Sequence, residues 1–340
     1  MKGNGLPLGH SNKTDTESRR PRRTTFIRTT PALLIFSAAL LGCSSAPDPP
    51  EAVHETKNRA SRYAEFGNGH FNDAEYDLAL QFFELALEEN TIVDSQPGIA
   101  GNHNSLGRVY LVLGRREAAA SNFRRALEIA TRHNVPGALV QARSNLAELY
   151  LYEDDTRNAA RELEEARRII ADEELEPDPI VEHNLAVVRL RQGELDEAET
   201  LLRAAAKTNE ENRAWAELAS NHYMLASLQR RKGNIDAAIQ EAETALDYDK
   251  RGENAPGIGK DLYALGTLHR RAGNYDEALD YLQRALRVSI ALNQYEETRR
   301  NLRVVGEFAL ELGYEEAAAE YNRRLQILNA EEASFDGTKE

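Results

Sequence analysis

The 340-residue chain is poor in the residues that cross-link proteins or build multi-cysteine metal sites. It has 1 cysteine, 11 prolines and 1 tryptophan, and aromatic residues make up only 7%. A single cysteine excludes an intramolecular disulfide framework and a multi-cysteine zinc site. Charged residues at 29% are too frequent for a protein of several membrane spans, and hydrophobic residues at 41% are too frequent for a disordered chain. The composition is that of a globular protein.

An excess of positive charge is also absent. The formal net charge is −14, which argues against non-specific nucleic-acid binding, because such binding needs many basic side chains to displace counterions from phosphates. The charge is unevenly distributed: residues 1–42 carry a net +5, which leaves −19 for the rest. We therefore expect no nucleic-acid partner, and we expect the first 42 residues to have a separate role.

No apolar run is long enough to span a bilayer. The longest, residues 31–41, would form a helix of about 16 Å, and it follows a basic stretch, as in a secretory signal. It ends in Leu-Leu-Gly-Cys at Cys43, which resembles the bacterial lipoprotein signal. The resemblance implies cleavage before Cys43, acylation of its thiol, and, with Ser44 next, an outer-membrane protein facing the periplasm.

These patterns divide the chain into four segments. Residues 1–42 are predicted to be the signal peptide, and residues 43–57, rich in Pro, Ser and charge, a flexible tether. Residues 58–331 are predicted to form the folded body. Residues 332–340 are predicted to be a disordered tail.

The folded body contains seven copies of one unit. An alanine recurs every 40 residues, with one spacing of 39, at Ala79, Ala119, Ala159, Ala198, Ala238, Ala278 and Ala318. Twelve residues before each marker alanine stands Gly or Ala, preceded by a larger apolar residue, as in Leu106-Gly107. Five of the units have a glycine five residues before the marker, where it can end a helix in the left-handed conformation. Helical i, i+3, i+4, i+7 spacing flanks these turns, so the repeat predicts helix–turn–helix units stacked into an α-solenoid.

The repeat resembles the tetratricopeptide repeat. The residues that carry the resemblance are the Leu-Gly or Leu-Ala pair, the turn glycines, Tyr110, and the Ala119, Phe123 and Ala126 of the second helix. Forty residues exceed the common 34 of this repeat. The resemblance implies an all-α, right-handed superhelix whose first helices line a concave groove.

Catalytic and cofactor motifs are missing. The sequence has no HExxH, no glycine-rich phosphate loop and no GxSxG elbow. Two pairs of histidines, His103 with His222 and His70 with His269, fall at equivalent positions of distant repeats, which a solenoid holds apart. We therefore predict no enzyme, no metal site and no cofactor.

Candidate ligand-binding residues follow from the groove positions that the resemblance implies. They are Phe71, Leu111, Leu151 and Leu190 in the first four repeats, Asn145 and Asn184 beside them, and then Arg191, Tyr223, Arg230, Arg231, Tyr263, Arg270 and Arg271. An apolar half next to a basic, tyrosine-lined half suits a peptide with apolar anchors and an acidic segment, because arginine forks bind carboxylates. The alternative is that these arginines, which lie near helix ends, are favoured by the helix dipole and simply solvated, and that the asparagines bind water.

Two functions from different classes remain open. The leading hypothesis is a non-catalytic, lipid-tethered scaffold that assembles proteins of the bacterial envelope by binding a peptide or protein segment. The alternative is a regulatory subunit that senses a peptide or small ligand. Co-purification of a stoichiometric assembly would favour the scaffold, and a ligand retained without partners would favour the sensor.

Overall fold

The structure, a computed structural model, describes residues 51–336. Within that range it forms fourteen α-helices and no strand. The first helices of the seven repeats are α1 (Glu51–Asn72), α3 (Gln96–Val112), α5 (Pro136–Tyr152), α7 (Pro179–Gln192), α9 (Trp215–Lys232), α11 (Ala255–Ala272) and α13 (Tyr295–Glu311). The second helices are α2 (Tyr76–Ile92), α4 (Arg116–Arg132), α6 (Thr156–Asp172), α8 (Leu195–Glu211), α10 (Ile235–Arg251), α12 (Tyr275–Ala291) and α14 (Glu315–Asp336). The prediction of an all-α solenoid of seven helix pairs is confirmed.

The turn inside each repeat is made by one residue in the left-handed conformation. Gly193, for example, has φ +82°, and the next amide, of Glu194, donates to the Arg189 carbonyl at 2.9 Å, the bond pattern that satisfies a helix end. The five predicted turn glycines all have positive φ. Ala74 and Asp154 adopt the same conformation in the two repeats that lack the glycine.

The marker alanines lie between the paired helices, as predicted. Each is at most 3% exposed. Opposite them the first helix has Gly or Ala, and at Gly107 a side chain would collide with its partner, since a Cβ there would lie 2.4 Å from the Phe123 ring. Small residues on the first helix therefore set how closely the two helices approach.

The first helices line the inner surface of the solenoid. From α1 through α9, each first helix contacts the first helix of the next repeat as well as its own partner. The second helices of successive repeats make no comparable contact with each other within residues 51–336. Because the spacing is tighter along the first helices, the stack curves toward them.

Both ends of the helical body extend beyond the predicted limits. Residues 51–57, expected to belong to the tether, form the start of α1, and α14 continues to Asp336 rather than ending at 331. At the start of α1 the reason is packing: Thr56 is 7% exposed, and Arg59 reaches α2, where its Nη2 donates to Glu89 Oε2 at 2.8 Å.

The signal peptide, Cys43 and most of the predicted tether lie outside the described residues, so those assignments stay predictions. From residue 51 to 336, no helix combines the length and apolar character that crossing a bilayer requires.

Candidate functional site

A pocket opens on the inner surface between the fifth and sixth repeats. It has a volume of about 200 Å³ and lies between α9 and α11. Tyr223 and Arg230 come from α9, where they stand seven residues and therefore two turns apart, and Tyr263 comes from α11. Small residues make up much of the remaining wall, namely Ala226, Ser227, Ala264 and Thr267, with Leu268. We call this space the Tyr–Arg pocket.

The two tyrosines combine rings with polar groups in this pocket. The Arg300 guanidinium of α13 lies 4.7 Å from the centroid of the Tyr263 ring, a cation–π distance. Burial raises the pKa of the Tyr223 hydroxyl, and the nearby charge of Asp261 raises it further, whereas Arg300 and Arg230 act in the opposite direction. Tyr223 therefore stays neutral near pH 7 and can both donate and accept a hydrogen bond.

Three of the predicted groove arginines form ion pairs or hydrogen bonds with a neighbouring repeat. Arg191 pairs with Asp154 at 2.9 Å, Nη1 of Arg231 donates to the Leu190 carbonyl at 2.6 Å, and Arg270 pairs with Glu311. Each contact joins a repeat to its neighbour. These three side chains therefore hold repeats together, a role that their position in the repeat did not predict.

The side chains of Arg230 and Arg271 make no hydrogen bond or ion pair with another described residue. Both side chains are exposed. Arg230 lines the Tyr–Arg pocket, and Arg271 does not. Arg230 is therefore the predicted arginine best placed to bind an anionic group in this pocket.

The apolar half of the predicted groove lies largely in the core. Leu111, Leu151 and Leu190 are 9%, 8% and 3% exposed, because they pack between helices of neighbouring repeats. They offer little surface to a ligand, contrary to what their inner-face position suggested. Phe71 is half-buried, and its ring lies 4.8 Å below the Arg108 guanidinium.

The two predicted asparagines are also partly withdrawn from the surface. Asn184 is 9% exposed, and Nδ2 of Asn145 lies 3.4 Å from Asn104 Oδ1. Asn104 in turn donates to the Ala138 carbonyl at 3.3 Å. The structure therefore places the Asn145 amide in a chain of contacts between the second and third repeats.

Sequence reasoning missed a set of buried polar residues between repeats. Asn90 donates to Asn102 at 2.8 Å where the first repeat meets the second, and Asn301 donates to Ser289 at 3.2 Å where the sixth meets the seventh. At the corresponding place between repeats five and six stand Asp249 and Asp261, which are 4% and 2% exposed. The signal was available in the sequence, because these positions recur with the same 40-residue spacing as the marker alanines.

The two aspartates have unusual acidity. Burial raises the pKa of Asp261 to about 8, with further increases from the charge of Asp249 and from a hydrogen bond between the two carboxyl groups. Burial likewise raises the pKa of Asp249, while the Asn254 amide, which donates to it at 2.8 Å, lowers it. Since carboxylates have no donor, this pair needs one proton to hydrogen-bond.

Among the described residues, no group of three or more His, Asp or Glu side chains is placed to hold a metal ion. The absence of catalysis, metals and cofactors stays a prediction.

Comparison with known proteins identifies the repeat. Models of the tetratricopeptide repeat match residues 100–133, 179–251, 223–287 and 263–333. A comparison with curated protein sequences found no match.

Several solved structures have a similar fold. BtubC from P. vanneervenii is 23% identical, with a TM-score of 0.51 over 71% of this chain and 92% of that one. A Rap protein complexed with competence and sporulation factor is 17% identical, with a TM-score of 0.59 over 83% and 80%. The Rap conjugation gene regulator of plasmid pLS20 with the Phr* peptide is 15% identical, with a TM-score of 0.61 over 87% and 80%. These repeat matches, and helix pairs that follow the same register, show that the chain belongs to the tetratricopeptide repeat family.

Proposed function

We propose that the protein is a non-catalytic scaffold that binds an acidic peptide or protein segment on its inner surface, at the Tyr–Arg pocket. One observation carries this proposal. In a chain of net charge −14, Arg230 lines an inner-surface pocket without pairing with any other described residue. An acidic protein has many carboxylates to offer such a cation, so leaving it unpaired keeps it available for a partner.

The pocket has the chemistry to hold one acidic segment with a neighbouring apolar side chain. Arg230 supplies a planar fork that fits a carboxylate, and Arg300 adds a second cation above Tyr263. Tyr223 and Tyr263 supply apolar ring area and hydroxyl groups at low cost in side-chain entropy. A space of about 200 Å³ is of the order of a single large side chain, so the peptide would insert one residue and lie along the inner surface.

Two proteins of similar fold support a peptide ligand. The Rap protein was solved with competence and sporulation factor, and the pLS20 regulator with the Phr* peptide. That likeness also favours the second candidate, a peptide-sensing regulatory subunit. A sensor would change shape on binding, which small-angle scattering with and without peptide would detect, whereas a scaffold would keep its curvature.

The binding test uses a fluorescein-labelled hexapeptide of alternating glutamate and phenylalanine, followed by fluorescence anisotropy. Arg230→Glu should weaken binding at least tenfold, because it removes the cation and adds repulsion. Arg124→Glu, on the exposed side of α4, is the matched control for charge and should bind as the wild type does. Arg270→Glu is unsuitable, since it would break the ion pair with Glu311.

If the wild type and Arg230→Glu bound the glutamate–phenylalanine peptide with equal affinity, the Tyr–Arg pocket would not be the binding site. If a lysine–phenylalanine hexapeptide bound as tightly as the glutamate–phenylalanine one, the protein would have no preference for acidic partners.

The location proposed for this scaffold is the bacterial envelope, facing the periplasm from the outer membrane, with envelope proteins as its partners. The support is the sequence of residues 31–43, in which a short apolar run ends at the only cysteine. Labelling with radioactive palmitate in a Gram-negative host should mark the wild type and leave Cys43→Ser unlabelled. Equal labelling of both proteins, or of neither, would contradict lipid attachment at Cys43.

A further inference from the structure

We call the contact between the second helix of one repeat and the first helix of the next a joint. The joint between repeats five and six, formed by α10 and α11, differs from every other joint of the solenoid in one respect. The positions of Asp249 and Asp261 are filled elsewhere by neutral residues. These are Asn90 with Asn102, Ala130 with Ala142, Ile170 with Val181, Asn209 with Asn221, and Ser289 with Asn301. The repeat itself therefore does not require acids here, and two buried carboxyl groups destabilise a joint unless they share a proton.

The geometry leaves the two carboxyl groups little room to move apart while the joint is closed. A Cβ at Gly257 would lie 1.9 Å from Asp249 Oδ2, so this carboxyl group is wedged against the start of α11. Asn254, which caps α11, donates to its other oxygen. Asp261 Oδ2 is buried and accepts no hydrogen bond from an ordinary donor among the described residues.

Few other titratable or charged side chains lie near this joint. Lys260 of α11 is exposed and acts on both aspartates through its charge. On α9, Tyr223 lies close enough to Asp261 for the charge of that carboxylate to raise the pKa of the Tyr223 hydroxyl. His222, also on α9, stacks on Tyr248 of α10, the residue before Asp249, with ring centroids 5.5 Å apart. No basic side chain pairs with either carboxylate within the described residues, so a second negative charge would remain uncompensated.

The same helices form the Tyr–Arg pocket. Asp261 precedes Tyr263 by two residues on α11, and α10 packs against both α9 and α11, the two walls of the pocket. A displacement of α11 from α10 would therefore change the distance between Tyr223 and Tyr263.

We infer that Asp249 and Asp261 share one proton that closes the joint between repeats five and six, and that loss of this proton opens the joint and weakens ligand binding in the Tyr–Arg pocket. The effect on binding rests on the proposed function; the titration of the joint does not.

The chain contains its own reporter for this titration. Trp215, the only tryptophan, stacks on Tyr248 of α10 with ring centroids 5.9 Å apart. Its fluorescence in the folded protein should change between pH 6 and pH 10 with a midpoint near the pKa of Asp261, about 8. Asp261→Asn should abolish the transition, because an amide can donate to Asp249 at every pH and so mimics the protonated carboxyl group.

Two control variants isolate the pair. Asp247→Asn removes an exposed charge from the same helix, and His222→Gln removes the neighbouring imidazole; both should retain the transition. If Asp261→Asn does not fold, Asp249→Asn should abolish the transition in the same way, because the new amide can donate to Asp261. A wild type without a transition, or one that persists in the folded amide variants, would overturn the inference.

The binding arm uses the glutamate–phenylalanine hexapeptide at pH 7 and pH 9, between which its carboxylates and Arg230 stay charged. From pH 7 to pH 9 the affinity of the wild type for this peptide should fall at least fivefold, and that of Asp261→Asn should fall less than twofold. A fluorescence transition with equal affinity at both pH values would overturn the link to the pocket. A transition with no binding at either pH would refute the proposed function and leave the titrating joint in place.

Discussion

At the scale of single residues, glycine and phenylalanine occupy complementary positions in the first two repeats. A Cβ at Gly67 or Gly107 would lie within 2.7 Å of the phenylalanine ring that faces it on the second helix. In the third repeat the corresponding pair is Ala147 and Leu163, which are both buried in the core. The larger residue on one helix is therefore matched by the smaller residue on the other.

Gly107→Ala should destabilise the protein by about 1–3 kcal/mol, because the added methyl group would overlap the Phe123 ring. Phe123→Leu in the same chain should recover part of the loss by recreating the Ala147–Leu163 pair. Urea unfolding of both single variants and the double variant measures the coupling. The control is Gly137→Ala, where nothing lies within 4 Å of the added Cβ, and it should be neutral or stabilising. Additive effects of the two substitutions would contradict the pairing.

His183 should make the protein sensitive to acid. Burial lowers its pKa below the usual 6.5, and its Nδ1 lies 2.6 Å from Asn221 Oδ1. The unfolded chain then binds a proton more readily than the folded one, so stability is lost as the pH falls below about 6.5. Thermal unfolding of His183→Gln between pH 7 and 5 should show a smaller decrease in Tm than the wild type. His133→Gln, at an exposed turn, should leave the decrease unchanged; a decrease that is the same in all three proteins would exclude His183 as the cause.

At the scale of helices, ion pairs between elements distinguish this solenoid from a simple stack of apolar faces. Arg189 on α7 has a side chain that is 15% exposed and contacts Glu164 of α6 at 2.5 Å and Glu197 of α8 at 2.9 Å. One guanidinium thus joins three consecutive helices. The sequence shows an arginine near a helix end, and only the packing of α6, α7 and α8 decides that it forms this network.

Arg189→Ala should lower the free energy of unfolding by about 1 kcal/mol, more than a typical exposed pair, because several charge-assisted contacts are lost at once. The loss should shrink in 1 M salt, which screens the interaction. Arg125→Ala removes an exposed pair within one helix, with Glu128, and serves as the control that should change stability by a few tenths of a kcal/mol. Urea unfolding at low and high salt makes the comparison; equal losses from the two variants would contradict a network role for Arg189.

At the scale of the whole molecule, stability depends on contacts between neighbouring repeats. Each helix packs mainly on the helices before and after it, as in other quasi-linear repeat proteins. A broad continuous hydrophobic cluster extends from Val140 on α5 to Leu228 on α9, whereas the clusters toward either end are smaller. The central repeats therefore have support on both sides, and the terminal ones have support on one side.

Hydrogen exchange should follow this order. Amides of α6, α7 and α8 should exchange most slowly and those of α1 and α14 most rapidly, because terminal repeats can open without disrupting the central cluster. Mass spectrometry of deuterium uptake in the intact protein makes the measurement. Leu202→Ala in α8 should speed exchange from α5 to α9 and leave α13 and α14 unchanged. Uniform exchange along the chain would show instead that the solenoid unfolds as one cooperative unit.

The sequence by itself determined the repeat, its 40-residue length, its turns and the small residues at helix contacts. These features are local: a glycine ends a helix, and an alanine fits between two helices, wherever the unit stands in the stack. The resemblance to the tetratricopeptide repeat also predicted that Tyr223, Arg230 and Tyr263 lie on the inner surface, and equivalent positions of a repeat face the same way.

Only the tertiary structure decided which of these side chains are available. Leu190 is buried and the Arg231 side chain donates to its carbonyl, while the side chain of Arg230, one residue away, has no hydrogen-bond or ion-pair partner among the described residues. Periodicity fixes the direction of a side chain within its own repeat, but its contacts depend on what the next repeat places opposite. The burial of Asp249 against Asp261 has the same origin, since two acids twelve residues apart become neighbours only when one helix packs on the next.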